Sequence, residues 1–364
     1  MNEYEVERLK VLIAGGGTAG HINPGLAIAK YLQKNIKDCE IRFVGTNRGL
    51  ETKLVIREGF KLSLINVRGF KRKISLDTLK AVRDTFRGIH EAKKLIRDFA
   101  PDIVIGTGGY VTGPVLLVAS LLKIPTLIHE SNAIPGVTNK ILARFVDTVC
   151  ISFEDAKKYF TSAKNVVVTG NPLREGIILN SNKEINERPK VTIFGGSRGA
   201  RAINTTVADM INTYGKDFKF DITFATGEAQ HKDVIGMINY KSDNIEVLPY
   251  IFDMPRVMND SDLLVTRAGA ITLSEITAMG KASILIPSPY VTANHQEYNA
   301  RALEKNGASI VLLEKDLNKD TLYNSINSII DDKEKLIQMS KKSADMGILD
   351  AIDKIFTEIK KIIK

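Results

Sequence analysis

Short apolar runs alternate with stretches of helical spacing along nearly the whole chain. LKVLIAGGG (9–17) reads as a buried strand that ends in a glycine loop. PGLAIAKYLQKN (24–35) has the spacing of an amphipathic helix, with Pro24 suited to its first turn. CEIRFVGT (39–46) and KLSLINV (61–67) read as further strands. A basic helical stretch covers 76–99. PDIVIGTGG (101–109) is again strand and glycine loop, and GPVLLVASLLK (113–123) again a helix. IPTLIHE and DTVCIS follow as strands. After VVVTGNPLRE the polar stretch 180–190 interrupts the pattern, which restarts at VTIFGGSRGARAIN (191–204) with the layout of the chain's opening. DITFATG, IEVLPYI, DLLVTRAG and ASILIPSP supply more strands, and 351–364 is an amphipathic basic helix. Apolar strands alternating with helices predict α/β domains with parallel sheets covered on both faces. Two such domains are expected, 1–172 and 173–346, with the helix of 347–364 packing back on the first.

Composition agrees with a globular chain. Of 364 residues, 44% are hydrophobic and 26% charged, which excludes a disordered or fibrous class. Cys39 and Cys150 cannot form a disulfide framework for this length and suit a reducing compartment. The opening MNEYEVERLK holds three glutamates and no apolar run, so no secretory signal is expected. The longest apolar stretch, near Val115–Leu122, stops at Lys123, short of the roughly 20 residues that span a bilayer. A soluble or peripheral protein is expected. The net charge of +9 is uneven: residues 1–172 hold 26 basic and 16 acidic residues, and the rest 25 and 26. One-sided basic charge suits an anionic partner: nucleic acid, a membrane face or an anionic substrate. No helix-turn-helix, zinc-finger or RNA-binding aromatic signature accompanies it, so nucleic acid is not expected.

Four glycine loops carry the candidate chemistry: Gly15-Gly16-Gly17-Thr18-Ala19-Gly20-His21, Gly106-Thr107-Gly108-Gly109-Tyr110, Gly195-Gly196-Ser197-Arg198-Gly199-Ala200 and Arg267-Ala268-Gly269-Ala270-Ile271-Thr272. Glycine lets backbone approach a ligand, and the helix that follows offers unpaired N–H groups, so phosphate is the natural guest. Gly15, Gly17 and Gly20 match G-x-G-x-x-G, but the second strand ends Phe43-Val44-Gly45-Thr46. It lacks the acid that a dinucleotide enzyme uses for the ribose. No Walker pattern, hydrolase elbow, D-x-D motif or metal-ligand spacing occurs, so no metal or cofactor is expected. His21 follows a glycine loop at a helix start, where it could be a general base, a charge stabiliser or a packing residue. Glu275 could reach a ribose diol; on position alone it reads as a solvated helix carboxylate.

Taken together, GGGTAGHINPGLAIA, GTGGYVTGPVLLVASLLKIPTLIHESNAIPGVTNKIL, VTGNPLRE, GGSRGARAIN, TRAGAITLSEITAMG and ANHQEYNARALEKNGA resemble the MurG family, in register from Leu9 to Ala308. The resemblance implies a GT-B fold, two Rossmann-like domains with parallel sheets facing across a cleft. It also implies an inverting transfer of N-acetylglucosamine from UDP-GlcNAc to the 4-hydroxyl of MurNAc in undecaprenyl-pyrophosphoryl-MurNAc-pentapeptide (lipid I), giving lipid II and UDP in peptidoglycan synthesis. A single displacement needs one general base and a stabilised leaving group, and no covalent nucleophile.

By motif, the resemblance makes His21 the catalytic base or its close helper. Donor contacts fall to Thr18, Ala19, Gly20, Asn132, Arg174, Ser197, Ile251, Ala270, Ile271, Thr272, Leu273, Ser274, Glu275 and Gln296. Of these, Arg174 and Ser197 go to the diphosphate, Ile251 to uracil, Glu275 to the ribose and Gln296 to the sugar. Gly17, Gly108, Gly109 and Tyr110 would meet the acceptor. The chain departs from the family pattern at Ala19, Ser131 and Arg198, none of which removes a proposed chemical group. The acceptor is a lipid, so a peripheral position on the cytoplasmic face of the cell membrane is expected. The basic, amphipathic stretch 68–99 is the candidate contact with its anionic surface. Two alternatives stand beside this reading: another UDP-sugar transferase of the same fold, and a sugar-nucleotide-binding protein without catalysis.

Overall fold

The computed structural model describes residues 8–47, 49–67, 76–173, 177, 186–196, 199–291 and 294–363, with the side chains of 76–86 excepted. The chain divides into two compact units, Met1–Leu173 with Leu349–Lys364, and Arg174–Ile348.

Unit 1 contains β1 (Arg8–Gly15), α1 (Ala19–Asn35), β2 (Asp38–Gly45), α2 (Glu51–Arg57), β3 (Lys61–Leu64), α3 (Leu76–Phe99), β4 (Ile103–Gly108), α4 (Thr112–Leu121), β5 (Thr126–Glu130), α5 (Val137–Leu142), β6 (Thr148–Ile151) and β7 (Val166–Val168). The strands form one parallel sheet in the order β3-β2-β1-β4-β5-β6-β7. Successive side chains of a strand point to opposite faces, and both faces are covered. Leu12 and Ala14 of β1 join the core beneath α3 and α4, whereas Val11 and Ile13 join the core beneath α1. This two-sided burial is why β1 and β4 read as unbroken apolar runs rather than alternating ones.

Unit 2 contains β8 (Lys190–Phe194), α6 (Arg201–Tyr214), β9 (Asp221–Ala225), α7 (His231–Met237), β10 (Ile245–Leu248), α8 (Met254–Asp260), β11 (Leu263–Thr266), α9 (Ala270–Ala278), β12 (Ala282–Leu285), α10 (His295–Lys305), β13 (Ser309–Val311), α11 (Lys319–Ile330) and α12 (Lys333–Asp345). Its parallel sheet runs β10-β9-β8-β11-β12-β13. The last helix, α13 (Ala351–Ile362), belongs to unit 1. Its Ile355 and Ile359 are fully buried in the α1-side core, and Tyr31 Oη donates to Asp353 Oδ1 at 2.5 Å. Burying each isoleucine contributes about 1.5–3 kcal/mol, so this helix completes a face that the first 173 residues leave open.

Two local expectations change. α1 starts at Ala19, directly after the glycine loop, so Pro24 lies in its second turn instead of its first. The helix loses only the one bond that a residue-24 N–H would make to Gly20. β3 stops at Leu64 instead of continuing to Val67, because β2, its neighbour in the sheet among the described residues, ends at Gly45, opposite Leu64. Among the described residues, no helix is long and apolar enough to cross a membrane.

Candidate active site

The strand order reverses between β1 and β4 in unit 1 and between β8 and β11 in unit 2. Open α/β sheets bind ligands beyond the carboxyl ends of their strands at such reversals. All four glycine loops lie there: the first two at the ends of β1 and β4, the last two at the ends of β8 and β11. The sequence marks each loop, but only the strand order pairs them.

The loops of unit 1 pack backbone against backbone. Gly16 N donates to Gly108 O at 3.3 Å, and a Cβ at Gly109 would collide with Gly16 O. Thr107 Oγ1 donates to His21 O at 2.6 Å, in space left by Gly15. His21, in the first turn of α1, is half-buried, and a Cβ at Gly108 would lie 2.5 Å from its Nδ1. The Thr18 side chain makes no capping bond to α1. Gly17, Thr18, Gly20 and Tyr110 are exposed, and Ala19 is half-buried. A buried carboxylate lies behind the first loop. Glu51 Oε2 accepts from Gly17 N at 2.8 Å, and Oε1 accepts from Thr46 N and Thr46 Oγ1.

The loop after β5 is organised by a second buried carboxylate, Glu130. Its Oε1 accepts from Asn132 N and Nδ2, at 3.0 and 3.2 Å, and its Oε2 from Gly136 N and Asn139 Nδ2. His129 is fully buried, with Nε2 3.0 Å from Gly170 O. Burial pushes its pKa down against the opposing pull of Gly170 and Glu130, which marks it as a neutral structural histidine.

In unit 2, Gly199 passes so close to Thr226 that a Cβ would collide with its carbonyl. Asn204 joins the same two loops, donating to Thr226 O at 2.8 Å and to Gln230 Oε1 at 3.1 Å. Gly269 is the N-cap of α9 and makes no side-chain capping bond. Ala270, Ile271 and Leu273 are buried, and Thr272 and Ser274 half-buried. Glu275 is 1% exposed, which overturns the solvated-carboxylate reading made from its position. Arg267 ties this loop to the next: its guanidinium donates to Ile286 O and Pro287 O, at 3.2 Å each, and pairs with Glu314 at 2.5 Å. Gln296 Oε1 accepts from Ser288 N at 2.9 Å, just past that point. Ile251 is buried, between exposed Tyr250 and Phe252. Among the described residues, no group of three or more His, Cys, Asp or Glu could hold a metal ion.

The glycosyltransferase family 28 N-terminal domain matches residues 11–151, and the family's C-terminal domain matches 190–355. The chain is 57% identical over 364 residues to the UDP-N-acetylglucosamine–N-acetylmuramyl-(pentapeptide) pyrophosphoryl-undecaprenol N-acetylglucosamine transferase of Acetivibrio thermocellus, covering 98% of this chain and 99% of that one. The crystal structure of MurG from Acinetobacter baumannii superposes with a TM-score of 0.81 at 28% identity, covering 97% and 99%. The chain belongs to the MurG family. The like-named transferase of Ruminiclostridium cellulolyticum is 53% identical over 366 residues, 98% of this chain and 100% of that one. The fold is accordingly GT-B, built from two parallel-sheet units.

With the MurG motifs laid on the structure, unit 1 gathers Gly17, Thr18, Ala19, Gly20, His21, Gly108, Gly109 and Tyr110 at one pair of strand ends, with Asn132 following the adjacent strand β5. Unit 2 gathers Ala270 to Glu275 at the start of α9, Gln296 after β12 and Ile251 after β10. Arg174 and Ser197 lie outside the described residues, as do residues 68–75 and the side chains of 76–86 that carry much of the basic stretch. Sequence reasoning missed Glu51 and Thr107. Thr107 stands inside the second glycine loop, but its bond to His21 spans 86 positions and leaves no local pattern.

Proposed function

We propose that this MurG-family chain transfers N-acetylglucosamine from UDP-GlcNAc to the 4-hydroxyl of the MurNAc unit of lipid I, forming lipid II and UDP with inversion at C1. The observation that carries the reading is that the family motifs run in register through both units and that the four glycine loops among them follow the strands at the reversal of each sheet.

Unit 1 takes the acceptor. Gly17, Gly108, Gly109 and Tyr110 meet it, and His21 removes the proton of the attacking hydroxyl. A general base of this kind contributes about 10²–10⁴-fold. Unit 2 holds the donor. Glu275 accepts bonds from the ribose hydroxyls, Ile251 meets uracil through its backbone, and Gln296 meets the sugar. Ser197 with its neighbouring loop amides and Arg174 serve the diphosphate, and Ala270, Ile271, Thr272, Leu273 and Ser274 line the sugar and ribose positions. Helix N-termini stabilise such anionic leaving groups without reorganisation. Thr18, Ala19, Gly20 and Asn132 complete the donor contacts.

A lipid acceptor places the enzyme peripherally on the cytoplasmic face of the cell membrane, on its anionic surface. A patch on α4 and α5 supports this. Leu121 is 70% exposed, Val137 71% and Ile141 51%, beside exposed Leu122 and Phe145. Lys123, Lys140 and Arg144 flank them. Exposed apolar groups with basic neighbours along the chain suit an interface with anionic lipid. α3, whose described side chains from Arg87 to Arg97 belong to the basic stretch, packs on α4.

The test is a transfer assay with UDP-GlcNAc and a short-chain lipid I analogue, with UDP-glucose and UDP-GalNAc in parallel. Disaccharide from UDP-GlcNAc alone supports the reading. Product from the other donors would favour a different UDP-sugar transferase, and UDP-GlcNAc binding without product a non-catalytic binder.

A further inference from the structure

The sheet of unit 1 has no acid at the end of β2, yet a carboxylate reaches the first glycine loop from α2. Glu51 is 0% exposed. One oxygen accepts from Gly17 N at 2.8 Å; the other accepts from Thr46 N at 2.8 Å and Thr46 Oγ1 at 2.9 Å. Three glycines make room for it. A Cβ at Gly16 would lie 2.7 Å from Oε1, one at Gly45 2.5 Å from Cγ, and one at Gly49 would collide with Oε2. A carboxylate only accepts hydrogen bonds, and both of these oxygens are engaged by the loops that leave two adjacent strands, β1 and β2.

We propose that Glu51 is a positioning residue for the transfer reaction, pinning the 15–18 loop so that α1 begins at Ala19 and presents its first turn and His21 to the acceptor. The inference rests on the assignment of unit 1 to the acceptor. Buried behind the loop, Glu51 acts on the substrate only through it. Its bond also turns the Gly17 N–H inward, so that amide is not offered to an acceptor diphosphate. Gly17 contributes its backbone turn, at φ +87°, where other residues are strained. Thr107 holds the other side of the same segment through the His21 carbonyl.

A purely structural carboxylate and a positioning one differ in what its loss affects. The bonds of Glu51 run to the loop before His21, while Ala270 to Glu275 lie in the other unit. Glu51→Gln keeps the size of the side chain but sets an NH2 group against one of the backbone N–H donors.

The experiment uses the full chain. Hydrogen exchange is followed in peptides spanning 15–22 and 270–278, UDP-GlcNAc affinity by calorimetry, and transfer to a short-chain lipid I analogue by steady-state kinetics. For Glu51→Gln, exchange at 15–22 rises at least tenfold while 270–278 is unchanged. kcat/KM for the acceptor falls at least tenfold, and the Kd for UDP-GlcNAc, which loses only the support of Thr18 to Gly20, rises less than fivefold. Thr46→Val, which keeps the bond to Gly17, lowers acceptor kcat/KM less than threefold. Acceptor kcat/KM within twofold of wild type in Glu51→Gln would overturn the proposal. So would a rise in exchange across both units with loss of UDP-GlcNAc affinity, the signature of a scaffold residue. A wild-type chain that binds UDP-GlcNAc and makes no disaccharide would overturn the functional reading instead. Exchange at 15–22 would then still decide whether Glu51 holds the loop.

Discussion

Gly108 lies against the imidazole of His21: a Cβ at residue 108 would fall 2.5 Å from Nδ1, and the residue sits at φ +108°. The second glycine loop thus sets the place of the side chain that the first loop introduces. Gly108→Ala must displace His21 and strain its own backbone. We expect a fall of at least tenfold in turnover, with UDP-GlcNAc affinity within twofold, read by steady-state kinetics and calorimetry. Unchanged turnover would show that the ring position does not matter.

Glu275 is buried at the second turn of α9, where the donor ribose is assigned. A hydrogen bond to a charged group contributes about 1.5–3 kcal/mol, or roughly one to two decades of affinity. Glu275→Ala should therefore weaken UDP-GlcNAc and UDP by the same factor, about 10–100-fold. A loss confined to UDP-GlcNAc would move Glu275 from the ribose to the sugar.

The α4–α5 patch yields a separable prediction. Val137→Asp with Ile141→Asp places charge on two exposed positions outside the core. Binding to vesicles containing anionic lipid should fall at least fivefold, while turnover of a water-soluble acceptor analogue stays within twofold. Equal vesicle binding by the double variant and the wild type would remove this patch from the membrane contact.

His129 predicts a pH dependence of stability. Burial lowers its folded pKa below the ordinary value of about 6.5. Between the two values the unfolded chain binds more protons, so stability is complete above about pH 6.5 and falls as pH drops below it. The carboxyl groups with lowered pKa, Glu58, Glu91 and Asp147, act at still lower pH. Melting temperature should decline between pH 7 and 5.5 in the wild type. His129→Gln should melt lower at pH 7 and show a flatter profile. An equal slope in both proteins would assign the pH dependence elsewhere.

Much of the fold is legible because both sheets are parallel and two-sided, which leaves runs such as Val11–Ala14 and Leu263–Val265 unbroken by polar residues. The glycine loops are legible for the same local reason. Burial of helix carboxylates is not. Glu275 looks solvated in A-I-T-L-S-E because nothing in that segment says that the face of α9 is covered. Glu51 escapes because the residues that close the second strand, Phe43-Val44-Gly45-Thr46, hold no acid, and the carboxylate returns to Gly17 across 34 positions. Pro24 misleads in the other direction: it marks the start of a helix that in fact begins as soon as the glycine loop ends, at Ala19.

The most direct test of the account is His21→Ala, measured for turnover with UDP-GlcNAc and a lipid I analogue and for UDP-GlcNAc affinity in the same preparation. The account predicts a loss of about 10²–10⁴-fold in kcat with the dissociation constant within twofold, because His21 itself is assigned to the attacking hydroxyl and not to the donor, most of whose contacts stand in unit 2. Undiminished turnover, or loss of donor binding together with turnover, would contradict it.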